Sequence, residues 1–260
     1  MLKNMMKQLG TGLESISAVL GVLFLWELLP RLGLVSIKVL PPFSVVFSKF
    51  IEMVISGELL SHTAISLERA FGGFIVSVIV AIPLGFLLGW SQRAERIIDP
   101  LGQLCRNTAT LAMYPLFILI FGLGELAKVA IIFWGAVWPI LLNTIEGVRT
   151  VDPLLVKSAR SMGISKLALF VKVILPMAFP LMFTGIRLAA SRAVIILVAA
   201  EMIGANKGLG YLVFHTEAHY MISEMYSAII MLIILGVLIN YTLVACEKRI
   251  NHWKEQITEV

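Results

Sequence analysis

The residue with the clearest chemical potential is Arg192, which lies inside a long apolar stretch of the chain. A charged side chain is costly within a bilayer, where it faces a cavity or a partner. Arginine also holds planar anionic groups through two parallel hydrogen bonds. Arg192 therefore predicts either a fixed positive charge for an anionic solute or an ion pair within the protein, with Glu201 or Glu68 as its partner.

Several other polar residues in apolar stretches could line a path for a solute. Glu201 lies near the end of the same stretch, where we interpret it as a gate or docking residue or as a helix-end salt bridge. Arg187 precedes Arg192 by five residues and so lies on another helix face, which favours a structural pairing. The remaining candidates for the path are polar residues of an earlier apolar stretch, Arg106, Asn107 and Tyr114.

Patterns typical of metal, nucleotide or catalytic chemistry are weak in this chain. His215 and His219 have a spacing that can hold a metal, but no third ligand is evident, and a solvated loop is favoured. The glycines from Gly204 to Gly210 follow no strand, so they do not predict a dinucleotide site. No phosphate-binding loop pattern occurs, and no facing catalytic pair lies in an apolar stretch. We therefore expect no enzyme activity, no metal and no cofactor in this chain.

The composition excludes an ordinary soluble domain. The chain has 260 residues, of which 59% are hydrophobic and only 14% are charged, whereas soluble domains carry about 25% charged residues. The net charge of +5 comes from lysines and arginines that punctuate apolar segments, which does not indicate a nucleic-acid surface. We expect an all-α membrane protein in which residues 1–260 form a single transmembrane domain.

Six stretches are long and apolar enough to span a bilayer, which needs about 20 residues. They are residues 16–35, 64–90, 98–122, 126–148, 176–204 and 225–246. Between the first two, Phe43 to Ser56 has apolar residues at helical spacing, which predicts a helix at the membrane interface. Thirteen of the 21 lysines and arginines then fall on one side and five on the other. This asymmetry predicts that both termini are cytoplasmic.

The longest predicted cytoplasmic loop, residues 149–175, has its own helix signals. Asp152 and Pro153 suit the start of a short helix, which Gly163 breaks. Ser165 begins a second short helix to Val173, which we expect Pro176 to end. Two short helices outside the membrane need a partner to pack against.

This 149–175 loop resembles the EAA loop of ABC-importer permease subunits, which reads Glu-Ala-Ala, three residues, Gly, nine residues and Ile-x-Leu-Pro. The corresponding residues here are Lys157, Ser158, Ala159, Arg160, Ser161, Met162, Gly163, Leu175 and Pro176. The resemblance implies that these residues couple the chain to an ATPase. Lys157 replaces the usual Glu, which implies a changed partner residue on that ATPase.

Further patterns occur in the same order along nearly the whole chain. They include His62-x-Ala64-Ile-Ser-Leu67-x-Arg69, Gly122-x-Gly124-Glu125-x-x-Lys128, Ala200-Glu201 and Gly208-Leu-Gly210-Tyr211. Together they resemble the branch that imports aliphatic sulfonates, taurine, nitrate and bicarbonate. Residues 106–110 depart from a proline-rich pattern of that branch, which implies that the solute differs from the well-known ones.

The resemblance implies a type I ABC importer permease in a bacterial or archaeal cytoplasmic membrane. Two copies would form the path, with two ATPase subunits that bind ATP and Mg, and an extracytoplasmic binding protein would deliver a small anion. A neutral or aromatic vitamin-precursor solute stays open as an alternative. An ion-gradient carrier is less favoured, because inverted repeats are not evident and the 149–175 loop would have no role.

Overall fold

The computed structural model describes the backbone of residues 2–91, 96, 98, 100, 102–105 and 108–250, and the side chains from residue 17 to 249 within those ranges. Over this part of the chain the structure is helical and contains no strand, which confirms the all-α class. A 3₁₀ turn, Thr110–Met113, precedes α4, and a π turn, Phe170–Ile174, joins α7 to α8. The helices are α1 Leu2–Arg31, α2 Phe43–Ile55, α3 Glu58–Trp90, α4 Tyr114–Phe121, α5 Glu125–Arg149, α6 Pro153–Ser161, α7 Lys166–Leu169, α8 Leu175–Gly204, α9 Leu209–Ala218 and α10 Ile222–Ile250.

Four helical segments of the described chain are long and apolar enough to cross a membrane. They are Glu58–Trp90, Glu125–Arg149, Lys166–Gly204 and Ile222–Arg249. These segments overlap the second, fourth, fifth and sixth predicted spans. The predicted interface helix between the first two spans is present as α2.

Helices α3, α5 and α8 pack closely at the centre of the fold. A side chain added at Gly85 of α3 would lie 2.6 Å from Cβ of Thr144 on α5. One added at Gly185 of α8 would lie 2.7 Å from the carbonyl oxygen of Pro139, also on α5. Glycine at such contacts lets helix backbones approach each other, which is the usual way that membrane helices associate. Glycines on α3 and α8 thus allow both helices to pack closely against α5.

The predicted third span, residues 98–122, is not one continuous helix. Ala109 has an extended backbone, and α4 begins only at Tyr114. Pro115 lies in the first turn of α4, where its missing N–H leaves no helical hydrogen bond unmade. A helix of eight residues is about 12 Å long, which is shorter than the apolar core of a bilayer.

The second helix of the 149–175 loop does not end at Pro176 as we expected. Instead α7, the π turn and α8 form one uninterrupted helical segment, Lys166–Gly204. Pro176 cannot donate a hydrogen bond to the preceding turn, and the π turn directly before it accommodates the missing bond. The second helix of the loop and the fifth predicted span are therefore one continuous helical segment.

Candidate functional site

The first helix of the 149–175 loop begins with a complete cap. The side chain of Asp152 accepts a hydrogen bond of 2.7 Å from the backbone N–H of Leu154, and Pro153 occupies the first turn. Gly163 follows the helix with a φ of +73°, a conformation that favours glycine. The side chain of Ser165 then accepts a hydrogen bond from the backbone N–H of Ala168 and caps α7. These local signals fix the shape of the loop.

The loop is anchored on one side and exposed on the other. Leu169 and Ile174 are buried, and the rings of Phe86 and Phe170 meet edge to face with 4.9 Å between their centroids. On the outer side, the side chains of Leu154 and Met162 are 66% and 80% exposed. A rigid element with exposed apolar side chains has the character of a docking surface.

The residues that match the EAA pattern occupy α6, the turn after it and the start of α8. Lys157, Ser158, Ala159, Arg160 and Ser161 lie on α6; Met162 and Gly163 form the turn; Leu175 and Pro176 are the first residues of α8. All the α6 members are exposed except Ala159, which is half-buried.

Arg192 is exposed on α8 within the single chain. It shares an exposed helix face with Leu188, Ser191 and Ile195, which follow helical spacing. Among the residues that the structure describes, Arg192 makes no hydrogen bond and no ion pair, so the alternative pairing with Glu201 or Glu68 is not formed there. The arginine is therefore available to a group outside this chain.

Arg187 has the structural partner that its position favours. Its guanidinium lies 2.8 Å from a carboxylate oxygen of Glu247, and both side chains are partly exposed. This contact joins α8 to α10, away from the face that carries Arg192.

Glu201 is fully buried and lies at the centre of a polar network that the sequence did not reveal. Nη1 of Arg69 donates a hydrogen bond of 2.7 Å to Oε1 of Glu201, and Oγ of Ser66 lies 2.9 Å from both carboxylate oxygens. The backbone N–H of Gly210 donates to Oε2 at 2.9 Å, and that of Leu209 donates to Ser66 at 2.8 Å. A buried carboxylate is stable only when hydrogen bonds and an opposite charge compensate for its loss of water, as they do here.

The same network extends to the start of α5. Nη2 of Arg69 lies 2.8 Å from Glu125, whose carboxylate also accepts a hydrogen bond of 3.0 Å from Lys128. Arg69 also donates to the carbonyl oxygen of Lys207, in the turn between α8 and α9. One arginine thus joins α3, α5 and the end of α8. The sequence held one indication of this network, because Arg69, Glu125 and Glu201 lie at the same end of their three predicted spans.

Tyr114, a further predicted path residue, has a structural contact of its own. Tyr114 is buried, with 1% exposure, and its hydroxyl donates a hydrogen bond of 3.2 Å to the carbonyl oxygen of Ala200. It therefore packs α4 against α8. Arg106 and Asn107 lie outside the described residues.

His215 on α9 and His219 directly after α9 belong to a row of neighbouring rings that begins with Tyr211. Nδ1 of His215 lies 3.3 Å from the hydroxyl of Tyr211, and the rings of His215 and His219 have centroids 4.2 Å apart. Nδ1 of His219 lies 2.7 Å from the carbonyl oxygen of His215. Within the described ranges no group of three or more metal-ligating residues occurs.

An ion-pair bridge holds α2 against α10. Nζ of Lys49 lies 3.0 Å from Glu52 and 3.4 Å from Glu224. The pKa of Lys49 is raised above its ordinary value, mainly because its ammonium donates a hydrogen bond to Glu52, an effect that burial opposes. The interface helix thus contacts the last long helix through this ion pair.

Comparisons with known proteins agree with this architecture. The chain is 35% identical over 233 residues to the aliphatic sulfonates transport permease protein SsuC of Bacillus subtilis, a match that covers 90% of this chain and 84% of that protein. It is 30% identical over 255 aligned residues to the taurine transport system permease protein TauC of Escherichia coli, which covers 94% of this chain and 90% of TauC.

The solved structures lead to the same fold. An inward-facing form of the MetNI methionine ABC transporter superposes with a TM-score of 0.63 at 20% identity, over 77% of this chain and 97% of that one. Residues 81–252 match the family described as Binding-protein-dependent transport system inner membrane component. This chain therefore belongs to that family, the membrane-embedded permease subunits of ABC transporters.

Proposed function

We propose that two copies of this chain form the translocation path of an ATP-driven importer and that the 149–175 loop docks on a cytoplasmic ATPase. The observation that carries this proposal is the capped, anchored loop with the exposed apolar side chains of Leu154 and Met162. The matched family supports it, because its description names a binding-protein-dependent transport system. The chain is the membrane subunit of that system; ATP and Mg bind to the ATPase.

The exposed face of α8 supports the pairing of two copies. Arg192 lies within a helical segment of membrane length and has no partner among the described residues. Lipid is a poor environment for such a side chain, whereas an aqueous path between two copies is a favourable one. We therefore place the α8 face that carries Arg192 on the path, at the junction of the two subunits.

The proposed cargo is a small anion of the sulfonate, nitrate or bicarbonate type. SsuC and TauC are named for the transport of aliphatic sulfonates and taurine, and a guanidinium suits a charged oxygen group of such solutes. A neutral or aromatic precursor solute is the second candidate, in which case the charge of Arg192 has a structural role and does not bind the solute. An extracytoplasmic binding protein delivers the solute, and both termini lie in the cytoplasm.

The continuous Lys166–Gly204 segment supplies a physical route for coupling. Its 39 residues extend over about 58 Å at the helical rise. One end carries the 149–175 loop, and the other end carries Glu201, which Arg69 holds against α3. When the ATPases close on ATP, a displacement of the loop moves this segment as a rigid body, which opens one side of the path and closes the other.

Co-purification of the tagged chain with its ATPase tests this proposal. We expect Leu154→Asp together with Met162→Asp to abolish the complex, because both changes place charge in an apolar contact. Gly163→Trp should have the same effect, since a side chain is strained at this positive φ. The matched control is Ile37→Asp, because Ile37 is 59% exposed in the α1–α2 connection and lies outside the predicted spans, and it should leave the complex intact.

Two results would contradict the proposal. Retention of the ATPase by the loop variants would show that another surface binds it. Solute transport by the chain without any ATPase would favour an ion-gradient carrier instead.

A further inference from the structure

A cavity of about 890 Å³ lies between the ends of α3 and α5 and one face of α6. Its lining includes four positively charged side chains, Arg96, Arg149, Lys157 and Arg160. No aspartate or glutamate is among the described residues that line it. Its volume falls within the range of pockets that hold small molecules or headgroups, about 300 to 1,000 Å³.

The cavity uses a different face of α6 from the proposed docking surface. Pro153, Val156, Lys157 and Arg160 line the cavity, and their spacing places them on one side of the helix. Leu154 and Met162 do not belong to the lining. A ligand in the cavity would therefore leave the side chains of Leu154 and Met162 exposed for contact with an ATPase.

The charges of the cavity call for an anion. Within the described chain, Arg96, Lys157 and Arg160 form no ion pair, and Arg149 lies 3.9 Å from Glu146. Arg96, Lys157 and Arg160 around one space repel each other, and an anionic group among them relieves this repulsion. Lys157, which takes the place of the usual Glu, is one of these three.

The location of the cavity selects the kind of anion. It lies where the membrane-length helices α3 and α5 end, and Trp90, the last residue of α3, is on its wall and is half exposed. Tryptophan is enriched at headgroup depth, and basic pockets at the cytoplasmic ends of spans bind anionic lipid headgroups. The apolar side chains of Val148, Val151 and Ile174 complete the wall and suit the glycerol and upper acyl region.

We propose that this cavity binds the phosphate headgroup of an anionic phospholipid of the cytoplasmic leaflet. The side of the membrane rests on the orientation given under the proposed function. The bound lipid links the ends of α3 and α5 to α6, and so stabilises the 149–175 loop in the position from which it meets the ATPase. The importer would then hydrolyse ATP faster in bilayers that contain anionic lipid.

Native mass spectrometry of the purified full chain tests the binding itself. The chain is equilibrated with equal amounts of phosphatidylglycerol and phosphatidylcholine that have identical acyl chains. We expect preferential retention of phosphatidylglycerol by the unmodified chain. Each cationic side chain near an anionic lipid contributes about fivefold, so Lys157→Gln with Arg160→Gln should reduce this preference roughly 25-fold.

A matched control separates the cavity from general charge. Lys172→Gln with Lys248→Gln removes the same charge from exposed positions on the same predicted side, outside the cavity, and should keep the preference. The proposal also requires the unmodified chain to prefer phosphatidylglycerol. This measurement tests the proposal even if a variant fails to fold.

Three outcomes would overturn the lipid assignment. Equal retention of both lipids, or equal loss of preference in the control pair, would remove the site. Loss of the preference in millimolar inorganic phosphate would assign the cavity to a free anion. Loss of the lipid from the chain–ATPase complex would assign the cavity to the ATPase. Failure of the ATPase to co-purify would instead count against the proposed function and would leave this measurement intact.

Discussion

Arg69 on α3 and Glu201 on α8 form a buried ion pair, with Nη1 of the arginine 2.7 Å from Oε1 of the glutamate. The two residues are 132 positions apart in the chain, and their side chains are 7% and 0% exposed. Ser66 and the backbone N–H of Gly210 satisfy the remaining capacity of the carboxylate. The pair therefore fixes the end of α8 that is opposite to the 149–175 loop.

Removal of the buried carboxylate should destabilise the chain strongly. Glu201→Gln leaves the Arg69 guanidinium without one of its two carboxylate partners, and breaking a buried pair costs about 3 to 5 kcal/mol. Glu247→Gln is the matched control, because Glu247 pairs with Arg187 in a partly exposed place, where a pair is worth about 0 to 1 kcal/mol. Thermal unfolding of the purified chain in detergent measures both, and equal shifts in Tm would contradict the prediction.

Gly208 should not tolerate a side chain. Its φ of +123° is rare for other residues, and an added Cβ would overlap the carboxylate of Glu201. Backbone strain of this kind costs about 1 to 3 kcal/mol before any overlap is counted. Gly208→Ala should therefore lower the Tm clearly. Gly236→Ala, at a helical position with no atom within 4 Å of the new Cβ, should leave Tm unchanged or raise it. A Gly208→Ala chain as stable as the control would refute the close contact.

Loss of the α6 cap should loosen the 149–175 loop without unfolding the spans. Asp152→Ala removes the hydrogen bond to the backbone N–H of Leu154, which is worth about 1 kcal/mol at a helix start. We expect amide hydrogen exchange in α6 to become about fivefold faster, since this is the factor that such a free energy represents. Asp152→Asn keeps a capping oxygen and should exchange like the unmodified chain. Identical exchange in the Ala variant would argue against the cap.

Arg192 should be needed for uptake but not for stability. Arg192→Ala removes a charged hydrogen-bond donor worth about 1.5 to 3 kcal/mol, so uptake of an alkanesulfonate at low concentration should fall about 10- to 150-fold. Arg192→Lys keeps the charge and should retain part of the uptake. Arg249→Ala, an exposed change at the end of α10, controls for loss of charge. Full uptake by an Arg192→Ala chain that assembles normally would remove Arg192 from the path.

Local features were predictable because their causes lie within a few residues. The cap at Asp152, the break at Gly163 and the start of α7 at Ser165 all depend on hydrogen bonds between near neighbours. The same holds for the long apolar helices, whose length and composition suffice to indicate a membrane protein.

One local prediction failed because neighbouring structure altered the outcome. Pro176 was expected to end a helix, but a π turn accommodates it and the helix continues. Residues 98–122 stay a predicted span, within which Ala109 is extended and α4 starts only at Tyr114. A proline shows where a backbone hydrogen bond is missing, but it does not decide whether the helix ends there or continues through a local distortion.

That this chain is an all-helical membrane protein of a recognisable permease type could be inferred from the sequence, because apolar length and the EAA spacing are properties of short segments. The pairing of its charges could be seen only in the folded chain. Glu201 is bound to Arg69 rather than to Arg192, and Lys157 lines a basic cavity with three arginines. Such pairings depend on helix packing between distant segments, where glycines such as Gly85 and Gly185 set the distances.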